Sequence, residues 1–337
     1  MKVLVTGATG FLGATVVKHL TLTGHTVRIL VRKDHERDLL KDFSVEKVYG
    51  DIISPQAVDY AIEGCDVVFH LASVYALYPW WAKEDETLFQ VNVCGTRNVL
   101  RAALRHNTQR VIITSSVASI GSRSDNGKSD EETIFNFDNT SSQYARSKVL
   151  AEYEVLKYCA RGVRALILNP AIIFGEGDCR PTPSGSIILN FLNKKYHVYF
   201  DGTISVVDVD DVARAHISAI DHGTVGERYI LCHDRSYTLK EIFDLLEEIS
   251  GVKAPSIKIT SSFIYPLVCI DEIVSNVIFK RNPSMSSEGI KFCRPRVSFN
   301  NAKAVKELHY SSRSLRETLI KAVYWYKEHG YVKNNGR

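Results

Sequence analysis

Two tyrosine–lysine pairs spaced four residues apart lie in the stretch QYARSKVLAEYEVLK, residues 143–157: Tyr144 with Lys148, and Tyr153 with Lys157. Residues four apart share a face of a helix, so each lysine can stand beside its phenol and favour the phenolate. A tyrosine with an ordinary pKa of about 10 would then come closer to working pH and serve as an acid–base group. The stretch alone leaves both pairs open, as catalytic acid or as helix surface. A second constellation opens the chain. VTGATGFLG follows an apolar run and carries Gly7, Gly10 and Gly13 at three-residue intervals. Gly7 suits a tight turn that a β-carbon resists. Gly10 lets backbone approach a pyrophosphate, and Gly13 lets strand and helix pack closely. The helix start that follows offers free N–H groups to phosphate. Thr9, Phe11 and Leu12 join the three glycines as candidate cofactor contacts.

These groups need a frame. KVLVTG, TVRILVR, VEKVYGD, DVVFHLA, RVIITSS and RALILNP read as strands rich in Val and Ile, with helical patterns between them. SPQAVDYAIEG carries Ser54 as a cap and Pro55 at the first helical position. ETLFQVNVCGTRNVLRAALRHN reads as one longer helix despite Gly95. Strands alternating with helices predict an α/β fold, a doubly wound parallel sheet with right-handed crossovers. Ligands of such sheets bind beyond the strand ends, which singles out Asp51 and Ile52 for an adenine, Leu71, Ala72 and Ser73 for a ribose, and Thr114. The second strand ends with Val31 where an NAD site usually has an acid, followed by Arg32 and Lys33. An arginine binds a 2′-phosphate through two parallel charge-assisted bonds. NADP(H) is favoured, and NAD(H) stays possible through Asp34. Past residue 174 the pattern changes to loops, helices and short strands. The expected division is a dinucleotide-binding domain over 1–174, with a return segment near 204–232, and a smaller, mainly helical substrate lobe over 175–337. ISVVDVDDVARAHISAI is expected to return to the main sheet before a helix capped at Asp210 or Asp211.

Composition narrows the classes. The chain has 337 residues, 45% hydrophobic and 24% charged, with a formal net charge of +4. Such a chain can bury a core, and its charge is too small to argue for nucleic acid as a partner. Seven scattered cysteines without C-x-x-C pairs suggest reduced thiols, hence a cytoplasmic location and no metal site. The opening MKVLVTGATG has too short an apolar run for a signal peptide. SSFIYPLVCIDEIVSNVIF, interrupted by Pro266, Asp271 and Glu272, falls short of a membrane span and reads as a helix buried on one face.

TGATGFLG, DVVFHLAS, NVCGTRNV, VIITSSVASIG, YARSK, LNPAIIFGEGD and VDVDDVARAH occur in an order that resembles the extended short-chain dehydrogenases/reductases, over residues 1 to about 220. The chain looks most like the dihydroflavonol 4-reductase-like branch, and LVRKDHERDLL and GDCRPTPSG resemble its members called hopanoid-associated sugar epimerases. The resemblance implies a Rossmann-type fold and a Ser–Tyr–Lys triad at Ser116, Tyr144 and Lys148. Tyr153 lies nine residues down the helix, about 13 Å at ~1.5 Å per residue, too far to share a carbonyl with Ser116. In this scheme Lys148 and the cofactor's positive ring lower the Tyr144 pKa by roughly 1–3 units. Ser116 orients the substrate oxygen, and Lys148 also holds the nicotinamide ribose. Pro170, Ala171 and Ile173 line the nicotinamide. Asn92 either orders a water near Lys148 or bends its helix. Asp208 stands where relatives often carry a histidine. Three functions follow: reduction of a ketone or aldehyde with NADPH, epimerisation of a nucleotide sugar on retained NAD, or cofactor sensing without turnover. A sugar dehydratase is disfavoured, since Val117 and Ala118 replace the Asp-Glu pair of those relatives. Tyr75, Tyr78, Trp80 and Trp81 are candidates to face a flat substrate or to pack on the lobe, and Arg180 to meet an anion. Two long helices make a homodimer an expected assembly.

Overall fold

The computed structural model describes residues 1–35, 40–75, 84–123, 125, 127–136, 142–275 and 298–332. Tyr78, Trp80, Trp81 and the far end of the apolar 261–280 segment lie outside the described residues. Six strands form where the apolar runs predict them: β1 (Lys2–Thr6), β2 (Thr26–Val31), β3 (Val45–Tyr49), β4 (Val67–His70), β5 (Arg110–Thr114) and β6 (Ala165–Pro170). Then come β7 (Ile172–Phe174), β8 (Val198–Phe200), β9 (Thr203–Ile204), β10 (Val206–Asp208) and β11 (Arg228–Leu231). The main sheet is parallel, in the order β11-β6-β5-β4-β1-β2-β3. The strand order reverses between β1 and β4, so a crevice opens at their carboxyl ends.

One strand differs from expectation. The segment around 206–208 does not return to the main sheet: β10 pairs with β7 in a two-stranded sheet of its own. The returning strand is β11, beside β6. The strand is only four residues long and opens with Arg228; its Tyr229, Ile230 and Leu231 are fully buried. The helix after β10 is also capped earlier than expected, at Asp208 instead of Asp210 or Asp211. Asp208 accepts from the Asp210 N–H at 2.8 Å, while Asp210 and Asp211 occupy the first turn, where their charge suits the helix dipole.

The helices cover both faces. On one, α1 (Phe11–Leu22) packs beside the helix Val209–Ser218, and Val16, Val17 and Leu20 share a core with Val212, Ala213 and Ala215. On the other lie α2 (Pro55–Ile62), capped by Ser54, then α3 (Glu84–Leu88), which passes through a wide π turn at Phe89–Cys94 into α4 (Gly95–Arg105), and α5 (Gln143–Cys159). Arg28 donates from within β2 to the carbonyls of Ala61 and Glu63, so a buried guanidinium closes the end of α2. A third core gathers around Phe191, Phe243, Leu319 and Tyr326. Its helices are α6 (Pro183–Leu192), α8 (Leu239–Ser250), α9 (Ser261–Ile273) and the last helix, Leu315–Glu328, whereas α7 (Val209–Ser218) belongs to the core with α1. In α9, Val268 is buried while Phe263, Leu267 and Ile270 are exposed. Before the last helix the chain crosses back: Phe299, Ala304 and Leu308 enter the core beneath α1.

The seam between the cores is ionic. Arg313 faces Asp208 at 3.6 Å, Asp210 at 3.4 Å and Asp211 at 3.0 Å. Asp210 also meets Lys321 of the last helix at 3.2 Å and His19 of α1 at 3.2 Å.

The turn after β1 is closed by backbone contacts. Gly7 has φ +73°, and a β-carbon there would lie 2.6 Å from the Ala72 nitrogen. One on Gly13 would lie 2.0 Å from the Gly7 carbonyl oxygen. Alanine favours a helix over glycine by about 1 kcal/mol, yet Gly13→Ala is expected to destabilise the chain by about 1–3 kcal/mol, because the obstructing atom is backbone. Urea denaturation checks this; a midpoint at or above that of the parent would show that the turn yields instead.

Candidate active site

The glycine turn presents an unfilled helix start. Gly10 caps α1 with extended backbone, and among the described residues no side-chain oxygen caps this helix and no acid stands in its first turn. By contrast α2, α5, α6 and α8 are capped by Ser54, Ser142, Thr182 and Thr238. The N–H groups at Phe11 and Leu12 are the donors such a turn offers to a pyrophosphate. Thr9 is half-buried beside the exposed Gly10. These features fit a dinucleotide.

Beyond β2 the Arg32 guanidinium stands 3.6 Å from the Asp51 carboxylate, both part-exposed. Asp34 lies exposed in the short turn that follows. Ile52 is turned inward, into the core, where Gly95 leaves room for it: a β-carbon on Gly95 would come within 3.1 Å of its side chain.

The loop after β4 is held by Asn92, which the π turn projects from the helix. Its Oδ1 accepts from the Ser73 hydroxyl at 3.0 Å and the Val74 N–H at 2.8 Å. Its Nδ2 donates to the Val74 carbonyl at 3.0 Å and to Ser147 Oγ at 2.9 Å. Asn92 thus fastens the Leu71–Ser73 segment to α5, the helix that carries Tyr144 and Lys148. The site's two histidines can be assigned tautomers from their partners. Thr96 donates to the Asn92 carbonyl at 2.6 Å, so its oxygen accepts from His70 Nε2 at 3.0 Å, and His70 Nδ1 accepts from Thr6 Oγ1 at 2.8 Å. His216 donates from Nδ1 to the Val212 carbonyl at 2.8 Å and accepts from Thr114 Oγ1 at 2.7 Å. Burial pushes His70 down to about 3 and His216 to about 4, so both are neutral near pH 7.

Ser116, Tyr144 and Lys148 come together from β5 and α5. Ser116 caps the short turn Val117–Ser119, its Oγ accepting from the Ala118 N–H at 3.1 Å, and it is hydrogen-bonded to the Tyr144 phenol. Tyr144 and Lys148 are nearly buried. Lys148 Nζ donates to the Thr114 carbonyl at 3.2 Å and lies 5.8 Å from the Tyr144 ring centre. Tyr75 meets Tyr144 edge to face, ring centres 4.6 Å apart.

The expected acidification of Tyr144 includes the cofactor's positive ring. In the chain alone the phenol is not acidified. Burial pushes it up to about 12, against the opposing pull of the Ser116 hydrogen bond. Burial also pushes Lys148 down to about 8, with the Glu152 charge acting the other way. At this depth the cost of forming either ion outweighs a lysine nearly 6 Å away. The second pair does lie on the surface: Tyr153 is 56% exposed and Lys157 pairs with Glu154 at 3.6 Å.

Pro170 ends β6 and Ile173 lies in β7, with the buried Ala171 between them. Asp208 is occupied as a helix cap and Arg180 is exposed. Among the described residues no group of histidine, cysteine and carboxylate side chains is arranged to hold a metal, and no helix is long and apolar enough to cross a membrane. Sequence reading passed over His70, Thr96, His216 and Glu152. A histidine ending the buried VVFH strand, and a glutamate one turn beyond Lys148, were the available signals.

The sequence profile of the NAD dependent epimerase/dehydratase family matches residues 3–232. A Synechocystis sp. protein provisionally named a dihydroflavonol 4-reductase is 36% identical over 98% of this chain and 95% of its own length. Sterol demethylase protein B of Methylococcus capsulatus is 30% identical over 98% of this chain and all of its own. Among solved structures, that of gox2253 superposes with a TM-score of 0.85 at 35% identity, covering 98% of this chain and 99% of that one. UDP-glucuronic acid 4-epimerase from Bacillus cereus, solved with NAD, shares the fold with a TM-score of 0.77 at 20% identity, covering 98% and 99%. With a profile matched over most of the chain, and the fold shared end to end, the chain belongs to the NAD dependent epimerase/dehydratase family, the extended short-chain dehydrogenases/reductases.

Proposed function

We propose that the protein reduces a ketone or aldehyde of a small organic substrate, with NADPH as the favoured cofactor. The observation that carries this reading is the meeting of half-buried Ser116 with buried Tyr144 and Lys148 beside the crevice at the strand ends. A phenol held near pKa 12 is protonated at neutral pH, the form needed to give a proton to a carbonyl oxygen as it becomes an alkoxide. Ser116 supplies a second hydrogen bond to that oxygen. Lys148 stabilises the phenolate left behind, and its remaining N–H donors suit the hydroxyls of a ribose. When bound, the cofactor supplies hydride; the chain supplies position and the proton. The glycine turn, Leu71–Ser73, Pro170 and Ile173 hold the dinucleotide in this scheme, with Thr114 fixed behind it.

Relatives with reductase names support the choice. Besides the Synechocystis protein, 2-alkyl-3-oxoalkanoate reductase of Stenotrophomonas maltophilia and cinnamoyl-CoA reductase 1 of Arabidopsis thaliana align at 29% and 28% identity. For cofactor choice the support is Arg32, a part-exposed guanidinium just beyond β2, 3.6 Å from Asp51, whose planar fork suits a 2′-phosphate. Leu150, Tyr153 and Leu156 form an exposed apolar strip on α5, which suits a homodimer built on this face. The substrate is taken to be a small carbonyl compound, and the location cytoplasmic.

Two measurements test the reading. Fluorescence titration of the apo-protein is expected to show NADPH binding about a hundredfold tighter than NADH, near 2.7 kcal/mol, with Arg32→Ala erasing most of the difference. Tighter NADH binding would overturn the assignment of Arg32. Against a panel of aldehydes and ketones, Tyr144→Phe should lower NADPH consumption by roughly 10²–10⁴-fold while leaving the cofactor dissociation constant within a few-fold. Undiminished turnover in that variant would remove Tyr144 as the acid.

A further inference from the structure

Lys148 carries its charge in an unfavourable place. It is 5% exposed, and its hydrogen bond among the described residues goes to one carbonyl, that of Thr114. A buried ammonium is costly and reverts to the neutral amine unless a counter-charge faces it. The groups packed around it are largely neutral. Tyr144 shares its helix; His70 comes from β4, Asn92 from the π turn, Thr96 from α4, Thr114 from the end of β5 and Ser115 from just beyond it. His70 is neutral by burial. The charged member is Glu152, one turn along α5 from Lys148 and equally buried. Glu152 and Lys148 line one cavity, with room for about a single water, which they share with His70, Asn92, Thr96 and Ser115.

Glu152 is itself firmly placed. Its Oε1 accepts from Ser115, from Ser119 at 2.6 Å and from Asn169 at 2.8 Å. Its Oε2 faces Arg228 of β11 at 3.3 Å. Arg228 in turn donates to the Glu131 carbonyl oxygen, and the Glu131 carboxylate accepts from the Ile230 N–H at 2.8 Å.

We propose that Glu152 is a positioning residue acting through Lys148: across their shared cavity it supplies the counter-charge that keeps the buried lysine an ammonium. It does not touch the reacting atoms. The carboxylate is pinned by the strands that carry Ser115 and Asn169, so its distance from Lys148 is set by the sheet. Arg228 acts in the opposite sense, since a cation behind the carboxylate weakens the field that Glu152 projects to Lys148. The inference deepens the reductase reading and rests on it for its purpose, because an ammonium at Lys148 is what stabilises the phenolate. Lys148 has a depressed pKa of about 8, with burial the cause and Glu152 the opposing influence, which places the relevant titration within experimental reach.

The test is a direct titration of Lys148 in the apo-protein carrying ¹³C at lysine Cε, with the resonance identified by its loss in Lys148→Met. In the parent the midpoint is expected near pH 8. In Glu152→Gln it should fall by at least one unit, a tenfold loss of proton affinity, and in Arg228→Met it should rise. If Glu152 merely cross-braces Ser115, Ser119 and Asn169, the glutamine variant will melt earlier while the midpoint stays put, and the proposal falls. Should Glu152→Gln fail to fold, Arg228→Met decides alone: an unchanged or lowered midpoint overturns the proposal. The titration needs no turnover. A failure here leaves the reductase reading standing, and failed NADPH binding would remove that reading without touching the titration.

Discussion

Everything in the site is referred to one close approach of backbone to backbone, the nesting of the turn after β1 between the start of α1 and the end of β4. Gly7 lies against the Ala72 nitrogen and Gly13 against the Gly7 carbonyl, at separations that leave no space for a β-carbon. This contact sets the relation of β1 to β4, between which the strand order reverses. The crevice, the uncapped start of α1 and the loop fastened by Asn92 all take their positions from it.

On that base the chain builds a polar interior from neutral groups. Thr6, His70, Thr96 and Asn92 form a chain of hydrogen bonds from β1 to the π turn, and His216 holds Thr114 from the opposite face of the sheet. Each has its partners, so burial costs little. Beside the crevice, buried charge is confined to Lys148 and to Glu152, which the half-buried Arg228 backs. In this low-dielectric setting a single charge reaches farther than it would at the surface. The neutral network orients; the few ions tune.

Much of this was legible in the sequence, for definite reasons. Six strands announced themselves by unbroken Val- and Ile-rich runs, and the glycine spacing named the turn because steric demand leaves few other residues able to serve. Tyr144 could be chosen over Tyr153 because distance along a helix is fixed by residue count. The seventh strand is Arg228–Leu231 rather than Val206–Asp208: both are short, of four and three residues, each carries one charged residue, and only tertiary pairing separates them. For the Tyr144 phenol the sequence gives a lysine's proximity but not the depth of burial, which raises the pKa in the chain alone. The role of Asn92 was undecidable for a related reason, since a π turn depends on where its side chain finds partners and leaves no periodic trace.

The aspartates at the start of α7 bear on how the molecule deforms. Arg313 engages three of them, and Lys321 and His19 reach the same cluster from the last helix and from α1. Opening a wedge at this seam would strand partly buried carboxylates from their cations, at a cost of several kcal/mol. Along that edge the last helix and α1 are therefore tied through α7, and the third core resists being levered away from the main sheet.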